Sequence, residues 1–145
     1  MIKVDTYAKM MDLLYGYVKD VLECESIRQT MDGLRSSAFT DEPRGATVPK
    51  DVQYNRSLAR IDELEERIRF VQDSVDALKD INEDYYRIIN HKWLIEYHNG
   101  HPSLEYIAEN ILYIDRSTFF RHKLYTKAKD ELLAIMRRGD TECDC

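Results

Sequence analysis

Two rows of apolar residues, spaced three and four apart, constrain this chain more than any other feature. Tyr7, Met10, Leu14, Tyr17, Val21 and Cys24 keep the alternation through the first segment, and Met31 rejoins the phase after a break at Arg28. Ile61, Leu64, Ile68, Val71, Val75 and Leu78 repeat it across three heptads. Such a period lines one face of an α-helix; a strand alternates every two residues and would scatter the same positions over both faces. Each helix therefore carries a seam that has to be covered. A helical hairpin does this by turning the two seams toward each other, and an intermolecular coiled coil does it by making a dimer. Three heptads lie near the lower limit for a free-standing coiled coil, which favours the hairpin.

Between the seams the composition changes. Residues 35–50 (RSSAFTDEPRGATVPK) hold two prolines and a glycine among small polar residues, so the first helix is expected to end near Gly33 and a flexible linker to follow. After the second seam, Asn82 opens a helix of about four turns. Tyr85, Ile88, Ile89, Leu94 and Tyr97 face inward on it, Trp93 falls at its border, and Asn99, Gly100 and Pro102 stop it. Ser103 is the N-cap of a short helix, although Tyr106 stands where a full capping box would have Glu. Asp115, or the residue before it, opens a last helix expected to run to about Arg138, with Leu124, Ala128, Leu132 and Ile135 as its buried stripe. No strand pair is apparent, and five glycines and three prolines in 145 residues are too few for the turns of a sandwich or barrel. The expected fold class is all-α. Its expected organisation is an N-terminal hairpin over 1–80 with the linker at about 35–50, a helix-turn-helix domain over 81–138 and an acidic tail over 139–145.

Charge narrows the function more by its distribution than by its total. The net charge of −6 argues against a non-specific nucleic-acid coat protein, which would be basic throughout. Residues 51–84 carry ten acids against five bases, and the tail adds Asp140, Glu142 and Asp144. Residues 115–129 reverse the sign, with Arg116, Arg121, Lys123, Lys127 and Lys129 against Asp115 alone. One basic segment inside an acidic chain is the pattern expected when a single element meets phosphate. Other classes recede. No stretch is apolar enough to span a bilayer, and MIKVDTYAKMMDLL lacks a secretory cleavage pattern, so membrane and secretory roles are not expected. A cytoplasmic setting is expected, and three cysteines without framework spacing suit its reducing conditions. Cys143 and Cys145 lack the second ligand pair of a zinc site, and no metal or other cofactor is expected. With no glycine-rich phosphate loop, no H-E-x-x-H and no activated nucleophile, the chain is not expected to be an enzyme.

The informative run is SLEYIAENILYIDRSTFFRHKLYTKAK, Ser103 to Lys129. A short amphipathic helix, a tight apolar turn and a helix beginning with polar and basic residues form a helix-turn-helix arrangement. Ala108 is small where the two helices cross, and Leu104, Ile107, Ile111 and Ile114 supply the core of the pair. Ser103, Arg116, Ser117, Thr118, Arg121, His122, Lys123 and Lys127 are the candidate DNA-contacting residues. Arg116 and Ser117, nearest the helix start, are expected at base edges, and Arg121, Lys123 and Lys127 at phosphates. Phe119 is expected in the core rather than on a base.

The run resembles region 4 of sigma factors and, more closely, the RinA/ArpU-like phage transcriptional regulators. The resemblance is carried by Ser103-Leu104-Glu105, Ile107-Ala108-Glu109, Arg116-Ser117-Thr118 and Phe119-Phe120-Arg121 with Lys123, and extends by helical pattern over roughly residues 55–136. The chain departs from that pattern by one extra residue between Ala108 and Thr118, and by Leu112-Tyr113 where many relatives have Gly. The resemblance implies a sequence-specific DNA-binding regulator of a phage or prophage operon, acting on late genes. Its implied partners are double-stranded DNA, host RNA polymerase and, in a homodimer, a second copy of the chain. Two other classes fit the same elements: a small-terminase-like DNA-packaging protein, and a helical protein-interaction module that has lost DNA binding. A small terminase usually presents its DNA-binding unit first, the reverse of the order here, and the Arg116-Ser117-Thr118 and Arg121 positions disfavour the third class.

Overall fold

The computed structural model describes residues 2–37, 50–95 and 100–142, and every element among them is helical. Helix α1 spans Tyr7–Ser37 and α2 spans Lys50–Ile81. The Thr6 hydroxyl begins α1 by accepting from the Lys9 amide at 3.3 Å. The helix passes Gly33 and continues to Ser37, since a glycine lowers helix stability without forbidding the conformation. Most of the linker, residues 38–49, lies outside the described residues.

The two helices run antiparallel, as their cross-links require: a low number on α1 meets a high number on α2. Tyr17 accepts from Gln72 Nε2 at 2.7 Å, Asp20 pairs with Arg67 at 3.0 Å, and Glu23 receives both Nε and Nη2 of Arg60 at 3.2 and 3.1 Å. Arg28 pairs with Glu65 farther along. The seams meet inside this hairpin. Met10, Leu14, Tyr17, Cys24 and Met31 of α1 are buried, as are Ile61, Leu64, Val71, Val75 and Leu78 of α2. Tyr7, the first residue of the seam, stays 45% exposed.

Asn82 joins α2 to α3 (Glu83–Ile89) through a single extended residue, its Oδ1 accepting from the amides of Asp84 and Tyr85. The helix then widens into a π-helical turn, Asn90–Leu94, closed by the Ile95 amide on the Asn90 carbonyl at 3.0 Å. Trp93 is not at a border: it is 4% exposed and belongs to the core. Tyr15 of α1 meets its ring edge-on at 4.6 Å, and its Nε1 donates to Tyr125 Oη at 3.1 Å. Tyr97, His98 and Asn99 lie outside the described residues.

Helix α4 (Leu104–Tyr106) runs into a second π-helical turn, Ile107–Ile111; α5 spans Arg116–Arg121 and α6 spans Leu124–Glu142. The single long helix expected from Asp115 to about Arg138 is thus two. His122 leaves helical geometry and Lys123 takes a φ of 51°, which ends α5 after six residues and restarts the chain as α6. Two apolar clusters explain the break. Phe119 of α5 packs with Ile88, Ile107 and Ala108, whereas Ala128, Leu132 and Met136 of α6 pack with the hairpin seams, Ile89 and Trp93. The bend at His122–Lys123 lets one stretch of chain serve both. The larger cluster draws residues from both sides of position 80.

Candidate nucleic-acid interface

The two short helices α4 and α5 are built on a small core. Ile88, Ile107 and Ala108 are fully buried and Phe119 is 1% exposed, with Leu104, Ile111, Leu112, Ile114, Leu124 and Tyr125 packed around them. The missing Ala108 side-chain bulk leaves room for Phe119. Ser103 begins the first helix of the pair, its Oγ accepting from the Tyr106 amide at 3.2 Å. The turn is tight: Tyr113 adopts φ 56°, and the Ile114 amide bonds back to the Ala108 carbonyl at 2.9 Å. A left-handed residue is what glycine supplies most cheaply, and here a tyrosine holds it in the turn at Leu112-Tyr113.

All eight candidate residues are exposed. Helical geometry sorts those on α5. At 3.6 residues per turn, Ser117 and Arg121 lie one turn apart on the face opposite buried Phe119, with Thr118 and Phe120 on the flanks. The hydroxyl of Ser117 donates to the Asp115 carboxylate. That carboxylate makes no side-chain cap bond to the helix, although Asp115 is the N-cap residue. Arg116, off to the side, donates Nε to Glu109 Oε1 at 2.5 Å, and the carboxylate holds its guanidinium even more firmly protonated than usual. Among the described residues, Arg121, His122, Lys123 and Lys127 make no side-chain hydrogen bond or ion pair, which leaves three full positive charges and an imidazole facing outward.

Lys129 belongs elsewhere. Its Nζ donates to Tyr7 Oη at 2.6 Å and lies 4.3 Å from the centroid of the Tyr125 ring, tying α6 to the start of α1. Three features of the site were not singled out from the sequence: Glu109 beside Arg116, and the exposed rings of Tyr113 and Phe120, at 83% and 46%. Phe120 had a readable signal: successive helix residues are about 100° apart, so with Phe119 at the centre of the core Phe120 falls on its flank. Behind the site, Lys92 donates to the Pro102 carbonyl at 2.8 Å, and burial lowers the pKa of its ammonium. Burial and the nearby Arg87 likewise lower that of His91.

Among the described residues no three His, Cys, Asp or Glu side chains gather as metal ligands, and no helix is long and apolar enough to cross a membrane. Cys143 and Cys145 lie outside the described residues. No protein-family model, no curated protein and no solved structure matches this chain.

Proposed function

We propose that the chain is a sequence-specific binder of double-stranded DNA that lays α5 into the major groove. The observation that carries this reading is the outer face of α5. Ser117 and Arg121 are exposed opposite Phe119, with Lys123 and Lys127 following, and no acidic residue interrupts the run from Arg116 to Lys129. The major groove, about 12 Å wide, admits a helix, and arginine offers the planar fork that fits guanine O6 and N7. On this reading Arg121, exposed beside Ser117 opposite Phe119, reads bases instead of the phosphates expected of it. Lys123 and Lys127, beyond the bend, meet phosphates and fix the register of docking. The acidic outer surface of α2 faces away from the duplex, because its charge repels phosphate.

The biological role we attach to this activity is regulation of a phage or prophage operon of late genes, supported by the resemblance of Ser103–Lys123 to the RinA/ArpU-like regulators. The hairpin and α6 form the body that carries the reading helix, and pairing of two copies would join two weak half-site contacts into one stronger one. Selection of sites from a randomised duplex pool with the full chain, followed by titrations of variants, tests the proposal. Arg121→Ala is expected to lose roughly 1–3 kcal/mol on a selected site and much less on random DNA. Recovery of no enriched sequence by the full chain would refute sequence-specific binding.

A further inference from the structure

Glu109 is out of place on a surface that meets phosphate. It lies in the π-helical turn of the first helix of the pair, 45% exposed at its side chain, and puts a negative charge beside the first residue of α5. Fold stability is a poor reason for it, since exposed ion pairs contribute little. The geometry suggests another. The contact is made to Arg116 Nε, at 2.5 Å. A guanidinium presents five donors: Nε–H with one Nη–H along its side, and the two Nη groups at its end. Holding Nε leaves the terminal Nη groups without a partner among the described residues, and that end is the fork that reads guanine or grips a phosphate.

We propose that Glu109 is a specificity-determining positioning residue, which grips Arg116 from the side and presents the end of its guanidinium to a guanine at the edge of the site read by Ser117 and Arg121. The inference rests on the major-groove reading above. An unheld arginine has several rotatable bonds to freeze on binding, and its flexible point charge serves any phosphate nearly as well as a base. A held one has lost that freedom in advance, so base contact costs less ordering. Glu105 lies near enough to act electrostatically on Arg116 and is the acid to control for.

The experiment uses the full-length chain. Sites are selected from a randomised duplex pool with the wild-type protein. Wild type, Glu109→Ala, Glu109→Gln, Glu105→Ala and Arg116→Ala are then titrated against the selected duplex, against the same duplex with each guanine replaced in turn by 7-deazaguanine, and against random duplex. The proposal expects Arg116→Ala and Glu109→Ala to lose the preference for the same guanine N7, about tenfold or more. Random-duplex affinity of Glu109→Ala stays equal or tightens, because a charge that repels phosphate has gone. Glu109→Gln, whose amide oxygen still accepts from Nε–H, keeps much of the preference, and Glu105→Ala keeps all of it. A merely structural loss would weaken every duplex alike. If Glu109→Ala binds the selected duplex more tightly with its guanine preference intact, Glu109 masks Arg116 rather than presenting it and the proposal is overturned. If wild type discriminates and Arg116→Ala does so equally, the proposal fails while the groove reading stands. If wild type selects no sequence, both fail.

Discussion

At the scale of single residues, two side chains report on how the helices are held. Tyr125 of α6 packs against the core and receives the Trp93 Nε1–H; burial raises its phenol to about 12. A pKa raised on folding means that the folded form keeps its proton where the unfolded form has lost it. The corresponding stability is fully present below the ordinary tyrosine value near 10 and is lost as pH rises through about 12. Alkaline unfolding should therefore set in across that window, and Tyr125→Phe should remove part of the dependence; tryptophan fluorescence of Trp93 during a pH titration reads both. Tyr113 reports on the turn. Its ring is 83% exposed and its φ is 56°, so its identity matters to the backbone rather than to the core. Tyr113→Gly should be neutral or stabilising, whereas Tyr113→Val, which crowds a left-handed backbone with a branched side chain, should cost about 1–2 kcal/mol in thermal melts. A glycine variant that melts well below the wild type would show that the aromatic ring, not the backbone angle, is what the turn needs.

At the scale of elements, the seams were legible because each heptad row needs only its own spacing to be recognised. Leu64 is fully buried, and Leu64→Asp should cost several kcal/mol in urea melts by placing an unpaired charge in the hairpin. Ile68 is half-buried where the two hairpin clusters meet, so Ile68→Asp should cost less than Leu64→Asp but more than a change on the outer face. Equal melting of Ile68→Asp and wild type would contradict the packing of α1 on α2. The break between α5 and α6 was not legible. Arg121 to Leu133 contains no Gly or Pro and keeps a helical period, and the reason for the bend is that Phe119 and Ala128 belong to different clusters. The burial of Trp93 was not legible for a related reason: its own helix does not reveal that α1 and α6 close over it. The candidate site was readable in its charges and its N-cap at Ser103. The pairing of Arg116 with Glu109, seven residues apart, depends on the left-handed turn at Tyr113 that folds one helix back against the next.

At the scale of the whole molecule, charge is segregated by element. The acids of α2 meet some of their bases within the hairpin, at Glu65–Arg28 and Glu63–Arg60. From Arg116 to Lys127, Arg116 meets an acid, Glu109, while Arg121, Lys123 and Lys127 make no ion pair among the described residues. Lys129, turned back to Tyr7 and Tyr125, contributes to the join between α6 and α1 rather than to the outward charge. Lys129→Ala should therefore lower the melting temperature and leave DNA affinity nearly unchanged, the opposite of Lys123→Ala. Equilibrium titration of the full chain on a random duplex, at salt from about 50 to 200 mM, is the most direct test of the account as a whole. If α5 docks in the groove with Lys123 and Lys127 on phosphates, affinity falls with salt, and Lys123→Ala flattens the log–log slope by about one unit. Absence of binding at the lowest salt, or a slope that Lys123→Ala leaves unchanged, would contradict it.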